Sequence, residues 1–98
     1  MRILPKTIVF QWDQGNIRKN LVKHNVTTQE AEEIFTQHPF LTSKDIKHSS
    51  PVEQRYHGLG HTKKGRRLQV VFTLRADKVR IISVRDMDRK EKQLYEET

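Results

Sequence analysis

Residues 68–73 and 79–85 are rich in aliphatic and β-branched side chains, and a polar stretch, 74–78, separates them. This pattern predicts an antiparallel hairpin. Strict alternation puts Leu68, Val70 and Phe72 on one face and Val71 on the other. In the second run Val79 and Ile81 share a face, opposite Ile82 and Val84. A sheet apolar on both faces needs cover on both. Yet Arg75, Arg80 and Arg85 run through or beside this region, and unpartnered guanidinium groups are costly to bury. They are therefore expected on an open rim or groove of the sheet.

Upstream, residues 7–12 alternate, with Ile8, Phe10 and Trp12 on one face, and predict a first strand. Pro5 is tolerated at its start. Asp13 stands where a helix N-cap is wanted. Ile17, Leu21 and His24 follow at helical spacing beside Val22, against a basic face of Arg18, Lys19 and Lys23. Asn25 suits the left-handed residue that closes the helix. Thr27 and Glu30 form a capping box with Val26 and Ala31 as a staple, opening a second helix buried through Ala31, Ile34 and Phe35. Pro39 ends it.

Residues 40–42 read as a short strand and 43–52 as an exposed polar loop. Residues 53–60 alternate again: Gln54, Tyr56 and Gly58 fall on one side, and Glu53, Arg55, His57 and Leu59 on the other. This strand is expected at the functional face. Gly65 supplies the turn into the hairpin. Asp86 or Asp88 caps a last helix, with Met87, Leu94 and Tyr95 toward the core and Lys90, Lys92 and Glu96 toward water. The order is β-α-α-β-β-β-β-α. It predicts an α+β fold, an antiparallel sheet with helices mostly on one face and the other face open to a ligand or partner.

Length changes this picture little: 98 residues fit one domain over 1–98. Charge changes it more. Nineteen Lys and Arg against twelve Asp and Glu give +7 and a pI near 10, which suits a polyanionic ligand or an acidic partner. With no cysteine, disulfides and thiolate zinc sites are excluded and a reducing compartment is favoured. Residues 1–6 lack the apolar run of a signal peptide, and no stretch approaches membrane-spanning length. A cytoplasmic protein is expected.

An ordered set of residues then carries a resemblance. It consists of Phe10, Gln11, Trp12 and Asp13; Asn20, Lys23, His24, Asn25 and Val26; Glu30, Ala31, Ile34, Phe35 and Pro39; and Glu53, Arg55 and Gly60. It continues through residues 70–73, Arg75 and 80–85 to Glu91 and Tyr95. Across about residues 10–95 the chain resembles the BrnT family, toxins of bacterial type II toxin–antitoxin pairs. The resemblance implies a RelE-like fold and a metal-independent endoribonuclease that cleaves RNA and needs no cofactor. It also implies neutralisation by a BrnA-type antitoxin whose ribbon-helix-helix region binds operator DNA, in a hetero-oligomer, with no membrane partner. Two departures stand out. Val84 and Met87 replace small residues expected near Arg85, with Asp86 adding an acid, and Glu91-Lys92 replaces a Glu-Arg pair, losing an arginine fork.

RNA cleavage without metal needs the 2′-hydroxyl activated, the phosphorane charge stabilised and the leaving 5′-oxygen protonated. Arginine suits the second task. Arg55, Arg75, Arg80 and Arg85 are the candidates. Arg80 and Arg85 differ by five positions, so a regular strand sends them to opposite faces; both reach one site only across a bulge or beyond the strand's end. Either can instead be structural, paired with Glu53 or Asp86. Candidate bases are Glu53, His24 and His57, with Lys23 as a phosphate contact. His24 falls on the helix's apolar stripe, where packing is the commoner role, and Tyr95 reads as core. The pair His57 and His61 lacks helical presentation and a completing cysteine, which argues against zinc. Asp45, Glu53, Asp86 and Asp88 show no spacing for two magnesium ions. The competing readings are a non-catalytic module that binds an antitoxin or nucleic acid, and a metal-dependent nuclease.

Overall fold

A computed structural model describes Leu4, Pro5 and residues 7–98; of the residues 1–6 read for a signal peptide, Met1, Arg2, Ile3 and Lys6 lie outside it. The elements are β1 (Val9–Gln11), α1 (Gln14–His24), α2 (Thr28–Glu33), β2 (Leu41–Ser50), β3 (Glu53–His61), β4 (Arg67–Arg75), β5 (Lys78–Asp86) and α3 (Arg89–Glu96). Their order and the α+β class are those the pattern predicts. The sheet runs β1-β5-β4-β3-β2. Strands β2 to β5 are antiparallel, whereas β1 pairs parallel with β5 through Phe10↔Val79 and Gln11↔Arg80. The sheet is thus mixed at one edge. Two helices and three strands separate β1 from β5, ample chain for the crossover that parallel pairing needs.

Local chemistry sets the element ends. Asp13 accepts from the amides of Gly15 and Asn16 at the start of α1, and Asn25 closes it at φ 52°. Thr27 and Glu30 form the expected capping box. Asp88, not Asp86, caps α3, in a second box with Glu91. Ala76 and Asp77, at φ 49° and 64°, make the two-residue turn of the β4–β5 hairpin.

The main core lies on one sheet face. Leu68, Val70 and Phe72 of β4 and Val79, Ile81 and Val84 of β5 pack there under Val26, Ala31, Ile34 and Phe35. Phe40 rests so close to β3 that a Cβ at Gly58 would sit 2.5 Å from its ring, so this strand needs glycine there. Ile8, Phe10 and Trp12 pack against the same core.

Several expectations are corrected. The short strand expected over 40–42 runs on as an edge strand to Ser50, through residues expected to be a loop: polar side chains do not prevent the backbone from pairing along one side, and charge is common on sheet edges. The pairing runs from Leu41↔Leu59 to Asp45↔Arg55, loops outward over 46–49 and resumes at Ser50↔Glu53. In α1, Leu21 and Val22 are exposed and the buried residue is Asn20. The helix lies along the part of β5 that short β1 leaves uncovered. Its Asn20 Oδ1 accepts from Val84 N–H at 3.2 Å, and Asn16 Nδ2 donates to the Ile81 carbonyl at 3.4 Å. The helix docks through amides on a strand edge, which a hydrophobic stripe does not reveal. Leu94 is exposed as well, while Met87 and Tyr95 join Leu59 and Leu41 in a small second cluster. Because Leu41 and Leu59 face away from the main core, α3 covers one end of the opposite sheet face, and the helices are not gathered on one side.

Candidate active site

Strand pairing defines three transverse rows on the face opposite the core. The first joins Asp45, Arg55, Thr73 and Arg80; the second Ser43, His57, Val71 and Ser83; the third Leu41, Leu59, Gln69 and Arg85. That Arg80 and Arg85 share a face follows from a bulge. Val71 pairs with Ser83 but Phe72 with Ile81, so Ile82 is an extra residue on β5. One inserted residue shifts the alternation, cancelling the odd spacing of the two arginines. It also returns Val84 to the core side with Val79 and Ile81, correcting the face that strict alternation gave it, and leaves Ile82 on the open side.

Strands lie about 4.8 Å apart, so Arg55 and Arg80 stand roughly 10 Å apart at Cα with only the small Thr73 between them. Thr73 spends its hydroxyl on the Gln54 carbonyl. Beside this row is a cleft of about 250 Å³ lined by Lys19 of α1, Asp45 and His48 of β2, Arg55 and His57 of β3, and Val71, Ile82 and Ser83. Among the described residues, Arg80 meets a carboxylate only at 3.9 Å, from Asp13. Its charge is weakly compensated. Arg85, whose partner Gln69 lies four residues along β4 from Thr73, is roughly 13 Å from Arg80. It grips Glu91 with both terminal nitrogens, at 2.7 and 3.1 Å, a pairing that raises its pKa. It therefore anchors α3, helped by the Arg67–Glu96 pair and by Tyr95, whose hydroxyl donates to the Pro39 carbonyl and meets His61 Nδ1.

The candidate bases divide in the same way. Glu53 Oε1 accepts from Arg55 Nε at 3.1 Å and Oε2 from Arg75 at 3.2 Å; these arginines hold its carboxyl below the usual range. It orients Arg55, and both its oxygens are engaged by guanidinium groups. His57 touches Asp45 Oδ2 through Nε2 at 3.2 Å and Gln69 Nε2 through Nδ1 at 2.7 Å. An ionised carboxylate only accepts, so Nε2 carries the proton and Nδ1 accepts from Gln69. Both nitrogens are engaged. His24 and Lys23 lie outside the cleft lining, at the end of α1, where Arg66 binds the His24 and Asn25 carbonyls and bridges to Asp86 and Glu30. Arg75 is at the hairpin end with Glu53.

The sequence pattern marks none of Lys19, Asp45 and His48 as a site residue. Asp45 is the one buried residue of β2. Burial pushes its carboxyl up, but the His48 side-chain and backbone N–H groups, aided by His57, outweigh that and hold it below its ordinary value. Among the described residues, no three His, Asp or Glu side chains gather to hold a metal ion.

The family model for the ribonuclease toxin BrnT of type II toxin–antitoxin systems matches residues 12–91. The chain belongs to the BrnT family. The Brucella abortus ribonuclease toxin BrnT, solved by crystallography, is similar with a TM-score of 0.59, over 85% of this chain and all of that one, at 16% identity; at that identity the likeness is one of fold. No curated protein sequence matches. Membership makes this a ribonuclease toxin of a type II system, which implies an antitoxin partner. The first of the BrnT-pattern departures now has a place: Val84 is fully buried in the core, Met87 packs with Leu59 and Tyr95, and Asp86 pairs with Arg66 rather than intruding on the cleft.

Proposed function

We propose that this BrnT-family chain is a metal-independent endoribonuclease, residues 1–98 acting as one domain, that grips the scissile phosphate between Arg55 and Arg80. The observation that supports it most is the strand register Arg55↔Thr73↔Arg80, which sets Arg80 in one row with Arg55 across Thr73. A phosphate seated over Thr73 meets two guanidinium groups, and their charge offsets the negative charge that grows on the phosphorane. Attack by the 2′-hydroxyl then displaces the 5′-oxygen, leaving a 2′,3′-cyclic phosphate. Lys19 borders the cleft as a further phosphate contact. Glu53 and His57 position groups: the first holds Arg55, the second holds Asp45.

A BrnA-type antitoxin with a ribbon-helix-helix region is the proposed partner, forming a hetero-oligomer that reaches operator DNA through the antitoxin alone. The absence of cysteine supports a cytoplasmic setting. Among the described residues no helix is long and apolar enough to cross a membrane. Purified toxin freed of antitoxin is expected to cut single-stranded RNA in EDTA, and R55A or R80A to slow cleavage about 100-fold or more. RNA left intact by the wild-type chain in EDTA but cut with added magnesium sinks metal independence. Salt-sensitive binding with no cleavage under either condition sinks the nuclease reading in favour of a binding module.

A further inference from the structure

With Glu53 held between two arginines and both nitrogens of His57 engaged, the site needs another acceptor for the 2′-hydroxyl proton. The outward loop of β2 supplies one. His48 directs Nδ1 at the Asp45 carboxylate, 2.9 Å from Oδ2 and 3.2 Å from Oδ1, and its backbone N–H donates to Oδ1 at 3.2 Å. Since the carboxylate only accepts, Nδ1 bears the proton and Nε2 keeps its lone pair. The imidazole itself is open, with its side chain 58% exposed against 5% for that of Asp45. It lines the same cleft as Arg55 and His57. Gln69, His57, Asp45 and His48 thus form a continuous hydrogen-bonded chain that begins under α3 and ends at one available nitrogen.

We infer that His48 is the general base of this site and that Asp45, held from behind by His57 and Gln69, positions it. The inference rests on the ribonuclease reading. In the step, His48 Nε2 takes the 2′-hydroxyl proton as the O2′–P bond forms. The P–O5′ bond breaks, O5′ takes a proton from cleft water, and the His48 imidazolium returns its proton to solvent. No metal or redox partner enters the balance. A carboxylate behind Nδ1 fixes the ring's tautomer and stabilises the imidazolium as it forms. Around the ring, Lys19 of α1 and Arg55 and His57 of β3 line the cleft, and Lys47 precedes it in the chain.

The test is chemical rescue. H48A is expected to stay folded, with its melting temperature lowered only by the lost bond to Asp45, and to keep its affinity for a 2′-deoxy RNA analogue while kcat falls about 100-fold or more. Added imidazoles should restore cleavage in proportion to their basicity, which a purely structural role cannot produce. D45N should lower kcat in the wild-type background and cost little on top of H48A, because one acts through the other. Cleavage by H48A within threefold of wild type overturns the inference and leaves the nuclease reading standing. A KM rise without loss of kcat reduces His48 to a substrate contact. RNA left uncut by the wild-type chain overturns both.

Discussion

Glu53 shows how much one residue's neighbours decide. From the sequence it is a plausible base, since it shares a strand face with Arg55 and His57. That sharing holds in the fold, but Arg75 reaches back from the next strand to complete the carboxylate's hydrogen bonding. With its pKa lowered by the two arginines, Glu53 favours folding above its ordinary value, and that contribution is lost as pH falls through the lowered folded value. E53Q is therefore expected to cost about 0.5–1 kcal/mol at neutral pH, the range of a partly exposed pair, and nothing in strong acid. Urea titrations at both pH values check this; a deficit that persists in acid shows that packing, not charge, is lost. Cleavage by E53Q should fall, but less than by R55A, because Arg55 survives with poorer orientation. The dyad of Asp45 and His48 left no comparable trace in the chain. An acid and a histidine three apart in a polar stretch look like solvated surface until the backbone there bends outward and buries one of them.

At the scale of elements, the strands were legible wherever one face is buried, since alternation records burial. They were hidden where it does not. Edge strand β2 has a single buried residue, Asp45, so its pattern is that of a loop. The bulge at Ile82 was foreseen only as a condition, because an inserted residue carries no composition of its own. Asp13 and Asn25 bound helix α1 as their residue types indicate, yet its inner face is not its apolar stripe. Asn20, not Leu21, meets the sheet, and its carbonyl replaces the strand partner that Val84 N–H would otherwise lack. N20A should leave that buried amide unsatisfied and cost about 1–3 kcal/mol of stability by chemical denaturation. N20D keeps an acceptor but buries a carboxylate, so its cost should be large at neutral pH and shrink in acid, where the side chain is neutral.

For the whole molecule, the predicted class and element order stand, while the layering differs: α2 covers one sheet face, α3 caps an end of the other, and α1 closes the β5 edge. What this leaves uncovered is the cleft lined by Lys19 and Arg55, with Arg80 in the adjoining row, in a molecule of net charge +7. Net charge alone would attract RNA anywhere on the surface. A local grip is distinguishable by its salt dependence, because each phosphate neutralised on a single strand contributes about −0.7 to the slope of log affinity against log salt. If a short 2′-deoxy oligonucleotide of about four residues is held by those three cations, the slope should be about −2. R80A should then reduce its steepness by about 0.7, and so should K19Q, whereas K90Q on exposed α3 should leave it unchanged. Fluorescence anisotropy over a range of salt concentrations measures all four. Equal losses from K90Q and R80A would show diffuse attraction and remove the phosphate clamp from the mechanism. A change confined to R80A and K19Q fixes the nucleotide over Thr73, beside the outward ring of His48.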